Sequence, residues 1–82
     1  MDTHELKILP EYFNLVEKGL KDFEIRKNDR RFKVFDEIVL HEWDRKTYTG
    51  RQLRRQITCV FADFEGIEPG FCVFGTTKFI GV

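Results

Sequence analysis

The sequence predicts a mainly β chain with one or two short helices, folded as a small, mostly antiparallel β-barrel. Three observations carry that prediction. Five runs of residues alternate or cluster in the manner of strands, against one run with helical spacing. Four of the five strand runs follow the helix. Finally, 82 residues with one short helix cannot cover both faces of a flat five-stranded sheet. Closing the sheet into a barrel hides one face and removes the exposed edges. An open α+β sheet is the alternative. One domain is expected over residues 1–82, since nothing in the chain reads as a linker, a repeat or a low-complexity segment.

The elements follow in order. His4–Leu9 sets His4, Leu6 and Ile8 on one side and Glu5, Lys7 and Leu9 on the other, a strand pattern. Pro10 suits the first position of a helix. Tyr12, Phe13, Val16 and Leu20 then recur at helical spacing, and Gly19 suits a left-handed end. Lys21–Asn28 is the second strand, with Phe23 and Ile25 opposite Asp22, Glu24 and Arg26. Asn28–Asp29 is turn chemistry, and Arg30–Phe35 reads as a connector with room for a 3₁₀ turn. Glu37–Trp43 is apolar on both faces, as a central strand would be. Asp44–Gly50 reads as a polar hairpin loop. Leu53–Ala62 starts basic and turns apolar. Glu65–Gly70 carries Gly66, Pro69 and Gly70, a loop. Phe71–Ile80 is the last strand, with Phe71, Cys72, Val73 and Phe74 expected to pack and Gly75 to mark a bulge.

Composition narrows the class of partner. Hydrophobic residues make up 41% of the chain and nine are Phe, too much for a disordered chain. Fourteen basic residues balance fourteen acidic ones, which argues against a uniformly basic coat for nucleic acid. The balance is uneven along the chain, however. Ten basic against five acidic residues between Arg26 and Arg55 leave +5, offset by −3 before and −2 after. The Arg-rich bias of the middle suits bidentate phosphate contacts, while solvated loops and protected edge strands explain it equally well. No apolar run approaches the ~20 residues of a membrane span. Residues 1–9 lack the pattern of a secretory signal, so a cytoplasmic location is expected. Cys59 and Cys72 read as two reduced core thiols. No glycine-rich phosphate loop, nucleophilic Ser or Cys elbow or zinc spacing occurs, so neither metal nor cofactor is expected.

The motif that stands out is Gly19-Leu20-Lys21-Asp22-Phe23-Glu24-Ile25-Arg26, a G-x-K-x-x-E-x-R pattern where a helix runs into a strand. It resembles the signature of ASCH domains, relatives of the PUA-like barrels. The similarity extends through Glu24–Arg30, Asp36 before Ile38–Leu40, Glu42-Trp43 and Tyr48–Arg51, and looks like a compact prokaryotic and phage-borne ASCH-related family of unknown function. The resemblance implies a PUA-like barrel with a cleft beside the helix. It implies RNA, or a nucleoside or nucleotide, as partner. One relative removes the acetyl group from N-acetylcytidine nucleosides with a lysine at the position of Lys21. That relative has a threonine where Glu24 stands.

The residues themselves give a site of the same kind. Glu24 and Arg26 share a strand face about 6.5–7 Å apart. Arg26 can hold a phosphate or carboxylate bidentately, and Glu24 can accept from a base amino group or act as a general base. Lys21 points away from Glu24 by strict alternation, unless a turn at Gly19 brings it round. The expected ligand cleft is Lys21, Glu24, Arg26, Asn28 and Trp43. Phosphate contacts are expected from Lys27, Arg30, Arg31, Tyr48, Arg51, Arg54 and Arg55. Three readings follow. The first is an RNA- or modified-nucleotide-binding module. The second is a metal-free amidohydrolase acting on an acylated nucleobase through Lys21 and Glu24. The third is a protein-interaction module.

Overall fold

Residues 1–80 are described by a computed structural model; Gly81 and Val82, the end of the single domain expected over 1–82, lie outside the described residues. Alternation sets the first strand, β1 (Thr3–Ile8), as expected: His4, Leu6 and Ile8 are buried, and Thr3, Glu5 and Lys7 are exposed. The helix α1 (Pro10–Glu17) starts with proline at its first turn and runs for two turns. Gly19, at φ +75°, reverses the chain, and the Leu20 and Lys21 amides both donate to Leu15 O, at 2.9 and 3.2 Å. A residue with a Cβ resists that backbone angle, so the glycine sets where the next strand begins.

The remaining strands are β2 (Phe23–Lys27), β3 (Glu37–Trp43), β4 (Tyr48–Ala62) and β5 (Phe71–Lys78). They form one sheet in the order β1-β3-β4-β5-β2. Only β1–β3 is parallel; the other three pairings are antiparallel. The chain is thus mainly β with one short helix, and the sheet curls into a half-barrel. β3 is an interior strand, between β1 and β4, with Ile38 and Leu40 in the core and Val39 also buried, as its two-sided apolarity implied. The 15-residue β4 serves two neighbours, β3 along its first half and β5 along its second. Its register shifts twice, opposite His41–Trp43 and between Ile57 and Cys59. Such shifts bend a strand and increase its twist, and so help the sheet to curl.

The second shift corrects one expectation. An extra residue at Thr58 reverses the alternation, so Cys59 is exposed while Cys72 stays in the core. Gly75 lies opposite: a Cβ there would come within 2.8 Å of Thr58 Oγ1 and 3.0 Å of Cys59 Sγ. The bulge expected at Gly75 is therefore carried by β4, and the glycine makes room for it.

Phe13 and Val16 of α1 pack into the concave face with Leu6, Ile8, Phe32, Ile38, Leu40, Ile57, Cys72 and Phe74. Tyr12 and Leu20, expected in the same stripe, are exposed. Tyr12 lies about 100° round the helix from Phe13, and Leu20 falls beyond the helix end. The connector Arg30–Phe35 forms no 3₁₀ turn. Instead Phe32 inserts between Phe74 and His4, at ring distances of 4.7 and 4.8 Å. His4 Nε2 lies 2.8 Å from Asp36 Oδ2, and the Asp2 and Lys33 amides donate to the same carboxylate at 3.0 Å. Burial alone would raise the Asp36 carboxyl, but these donors outweigh it and hold it below its ordinary value.

β1 and β2 end the sheet, and no ladder joins them. Side chains cross between them instead. Arg26 Nη2 donates to Lys7 O at 2.9 Å, and Arg30 Nη1 donates to Glu5 O at 3.1 Å. Two guanidinium groups thereby tie carbonyls two residues apart on the β1 edge.

Candidate functional site

The turn after Gly19 decides the site. Strict alternation would send Lys21 away from Glu24, but Lys21 precedes β2 and its side chain folds back. Its Nζ donates to Glu24 Oε2 at 2.5 Å and to Phe23 O at 2.7 Å. Glu24 faces the concave side, opposite Phe74 in the ladder. Its Oε1 accepts from Arg26 Nε at 3.1 Å and Arg26 Nη2 at 2.8 Å. One carboxylate thus holds two cations, at side-chain exposures of 5% for Glu24, 15% for Lys21 and 24% for Arg26. The polar face of β2 is its buried face, and its apolar residues Phe23 and Ile25 are the exposed ones.

The three side chains line a pocket of about 590 Å³ between α1, β1 and β2. Its walls include Ile8, Tyr12, Leu15, Leu20 and Phe23. The Phe23 and Tyr12 rings lie 5.1 and 5.9 Å from Lys21 Nζ. Lys21, Glu24 and Arg26 together carry a net +1, and Lys7 also lines the pocket, whose other walls are apolar. An ammonium has three N–H donors and a carboxylate about four lone-pair sites. After the internal bonds, Lys21 keeps one donor, Glu24 one acceptor direction and Arg26 its Nη1 edge. A donor beside an acceptor complements a planar group that carries a carbonyl next to an amino or imino nitrogen.

The other expected cleft residues lie elsewhere. Asn28 is exposed, and its amide closes the end of β2 on Gly70 O at 2.9 Å. Trp43 stands on the outer face of β3, edge-on to Tyr48 at 4.9 Å, with Lys7 Nζ 4.2 Å from its ring centre. Neither lines the Lys21–Glu24–Arg26 pocket. The expected phosphate contacts are divided. Arg51 and Arg55 point to the inner side of β4 and Arg54 to the outer, as alternation requires. Arg51 binds Glu42 through Nε at 3.0 Å and Nη2 at 2.9 Å, and Asn14 through Nη2 at 2.9 Å. Arg54 donates to Glu37 and lies over Phe79. The Arg51 guanidinium, with Thr49, holds the Glu42 carboxyl below its usual range, and Arg54 does the same for Glu37. Arg55 is 9% exposed and its Nε has no partner among the described residues. Burial pushes its guanidinium down, with the Asp22 charge opposing. Lys27 and Arg31 are exposed and take part in no ion pair among the described residues. Arg30 and Tyr48 border a second cavity on the other side of Arg26.

The sequence missed Lys7, Tyr12, Leu15 and Leu20 as site residues. Tyr12 and Leu20 carried a signal, Tyr12 as an apolar residue that the two-turn helix leaves exposed and Leu20 as an apolar residue of the motif beyond the helix end. Lys7 carried none. Among the described residues no helix is long and apolar enough to cross a membrane, and no group of three or more His, Cys, Asp or Glu side chains gathers to hold a metal.

A curled five-stranded domain with a single helix and a Lys–Glu–Arg pocket at the join of helix and sheet edge defines the class. Within it, the chain belongs to the family described as "Domain of unknown function (DUF3850)", whose model matches residues 3–76. The chain is also 44% identical over 57 residues to the "Uncharacterized 12.9 kDa protein in GpA 3'region" of Escherichia phage P2, a match covering 70% of this chain and 52% of that protein. The chain thus spans about half the length of this phage relative.

Proposed function

We propose that the chain is a PUA-like, ASCH-type module that binds the base of a nucleoside, nucleotide or single-stranded RNA in the Lys21–Glu24–Arg26 pocket. The observation that carries this reading is the convergence of the three motif side chains on one apolar pocket, with donor and acceptor sites left over. Apolar walls suit the faces of a base, and the remaining Lys21, Glu24 and Arg26 sites suit its polar edge. The G-x-K-x-x-E-x-R pattern supports the same reading by its resemblance to ASCH domains. The test is calorimetric titration with the four ribonucleosides and a modified cytidine, then with short single-stranded RNA. At least one base should bind, and Lys21→Met should abolish that binding. RNA affinity should fall with salt at a log–log slope of about −0.7 per neutralised phosphate. Absence of binding by every nucleoside and by RNA at low salt rejects the reading.

One observation favours a second reading, hydrolysis of an acyl group from a modified nucleobase. Lys21 and Glu24 are in direct contact, so a carboxylate stands ready to take the proton that a nucleophilic amine must lose. Incubation with N-acetylcytidine tests it. Release of cytidine and acetate that is lost in Lys21→Met supports hydrolysis, and intact substrate rejects it.

A further inference from the structure

We infer that the cavity beyond Arg26 is a phosphate subsite, so that the ligand is a phosphorylated nucleoside unit and not a free nucleoside. The inference rests on the base-binding reading above and names the part of the ligand that the first pocket leaves unaccounted for.

The second cavity holds about 620 Å³ and is lined by Glu5, Leu6, Lys7, Arg26, Arg30, His41 and Tyr48. Lys7 and Arg26 line both cavities. The two cavities therefore adjoin at the β1–β2 join, on either side of the Arg26–Lys7 bridge. Three cations from three segments converge on the second cavity: Lys7 from β1, Arg26 from β2 and Arg30 from the connector. Each is positioned before any ligand arrives. Arg26 and Arg30 are anchored on Lys7 O and Glu5 O, carbonyls about 6.5–7 Å apart along the strand. Lys7 Nζ is held against the Trp43 ring at 4.2 Å and the Tyr48 ring at 5.8 Å. Lys7 has no carboxylate partner among the described residues, and Arg30 only the distant Asp29, at 3.9 Å. The one acid of the lining, Glu5, is 2.9 Å from His41 Nε2.

Each guanidinium has five N–H donors and gives only part of them to the protein. A tetrahedral, doubly charged oxyanion satisfies the remainder, and arginine forks match its geometry. Tyr48, 54% exposed at the rim, offers a ring face to the next base if the phosphate belongs to a strand. Arg26 is paired with Glu24 through Nε and Nη2 and keeps its Nη1 edge for a ligand, whereas Arg51 and Arg54 are paired away from both cavities. The cations of the second cavity are the ones placed beside the base pocket.

The experiment compares affinities within one calorimetric series at low salt. The probes are the four ribonucleosides, their 5′- and 3′-monophosphates, inorganic phosphate and a trinucleotide. For the base that binds, a monophosphate should bind about tenfold tighter than its nucleoside, the size of one charge-assisted contact. That ratio should collapse toward one in Arg30→Gln and in Lys7→Gln, the second variant guarding against loss of fold in the first. A trinucleotide tighter than either monophosphate identifies a strand as the source of the phosphate. Equal nucleoside and monophosphate affinity in the natural protein overturns the subsite and leaves the base pocket standing. So does a ratio that survives both substitutions. Inorganic phosphate that binds and is lost in Arg30→Gln, with no nucleoside bound, supports the subsite and removes the base-binding reading. No binding by any probe overturns both.

Discussion

The Glu24 carboxylate is buried and holds two cations, so the fold depends on its charge. Replacing it in Glu24→Gln keeps the shape and one carbonyl acceptor but removes the negative charge. Lys21 and Arg26 are then left on one side chain with no counter-charge. Breaking a buried ion pair from one side costs roughly 3–5 kcal/mol. Lys21 and Arg26 retain 15% and 24% of their side-chain exposure, and the water that reaches them offsets part of that cost. We therefore expect about 2–3 kcal/mol of destabilisation at pH 7. In a domain of this size that lowers Tm by ~10–20 °C, a large share of a small domain's stability. Thermal and urea unfolding followed by circular dichroism measures it. Adding Lys21→Met to Glu24→Gln removes one of the two unmatched cations and should recover about 1 kcal/mol or more. A Tm within about 3 °C of the natural protein in Glu24→Gln would refute the reasoning, because it would mean that the cations are already matched by solvent.

Other predictions concern the frame around the pocket. The Asp36, Glu37 and Glu42 carboxyls are all held below their ordinary values. Acids depressed in this way stabilise the fold fully above their unfolded values of 3.8 and 4.5, and that stability is lost as pH falls through the folded values. Tm should therefore fall steeply below about pH 4, and Asp36→Asn should flatten the fall; an Asp36→Asn acid profile parallel to the natural one contradicts this. Gly75→Ala should cost about 1–3 kcal/mol in urea unfolding through its clash with Thr58 Oγ1 and Cys59 Sγ. Thr58→Ala in the same chain should return part of that; a neutral Gly75→Ala removes the explanation given for the glycine. A thiol reagent added to the folded protein should modify the exposed Cys59 and spare the buried Cys72, and mass spectrometry after proteolysis reads the outcome. Equal modification of both would mean that the register shift at Thr58 is misplaced.

The strands were legible wherever one face is apolar. His4, Leu6 and Ile8 announce β1, and Ile38 to Leu40 announce β3 as an interior strand. Tyr48–Gly50 read as part of the hairpin loop and the strand as starting only at Leu53, because the first five residues of β4 are polar and exposed; only pairing with β3 makes them strand. Cys59 was misplaced because a single inserted residue reverses every side chain after it, and nothing at Thr58 marks the insertion. Leu20 belonged to a helical stripe that Gly19 cuts short. The motif was legible as chemistry, since Lys21, Glu24 and Arg26 do meet. Their meeting depends on a turn that alternation cannot describe. The partners of the other charges were illegible for a different reason. Asp36 meets His4, Glu42 meets Arg51 and Glu37 meets Arg54 only through ladder register, across 32, 9 and 17 positions. A charge count of +5 between Arg26 and Arg55 therefore described the chain and not its surface. Within that stretch Arg51 and Arg54 are paired and Arg55 is buried. Of that stretch only Arg26 and Arg30 stand beside the pocket, joined there by Lys7 from β1.

The central claim is that Lys21, Glu24 and Arg26 form a receptor for a nucleobase. Two-dimensional ¹H–¹⁵N NMR of the labelled protein, titrated with ribonucleosides and their monophosphates, tests it most directly. The account predicts saturable shifts at Tyr12, Leu20, Phe23, Glu24 and the Arg26 Nε–H, absent in a folded Lys21→Met protein. No saturable shift with any probe, or shifts confined to residues remote from Lys21, Glu24 and Arg26, would contradict it.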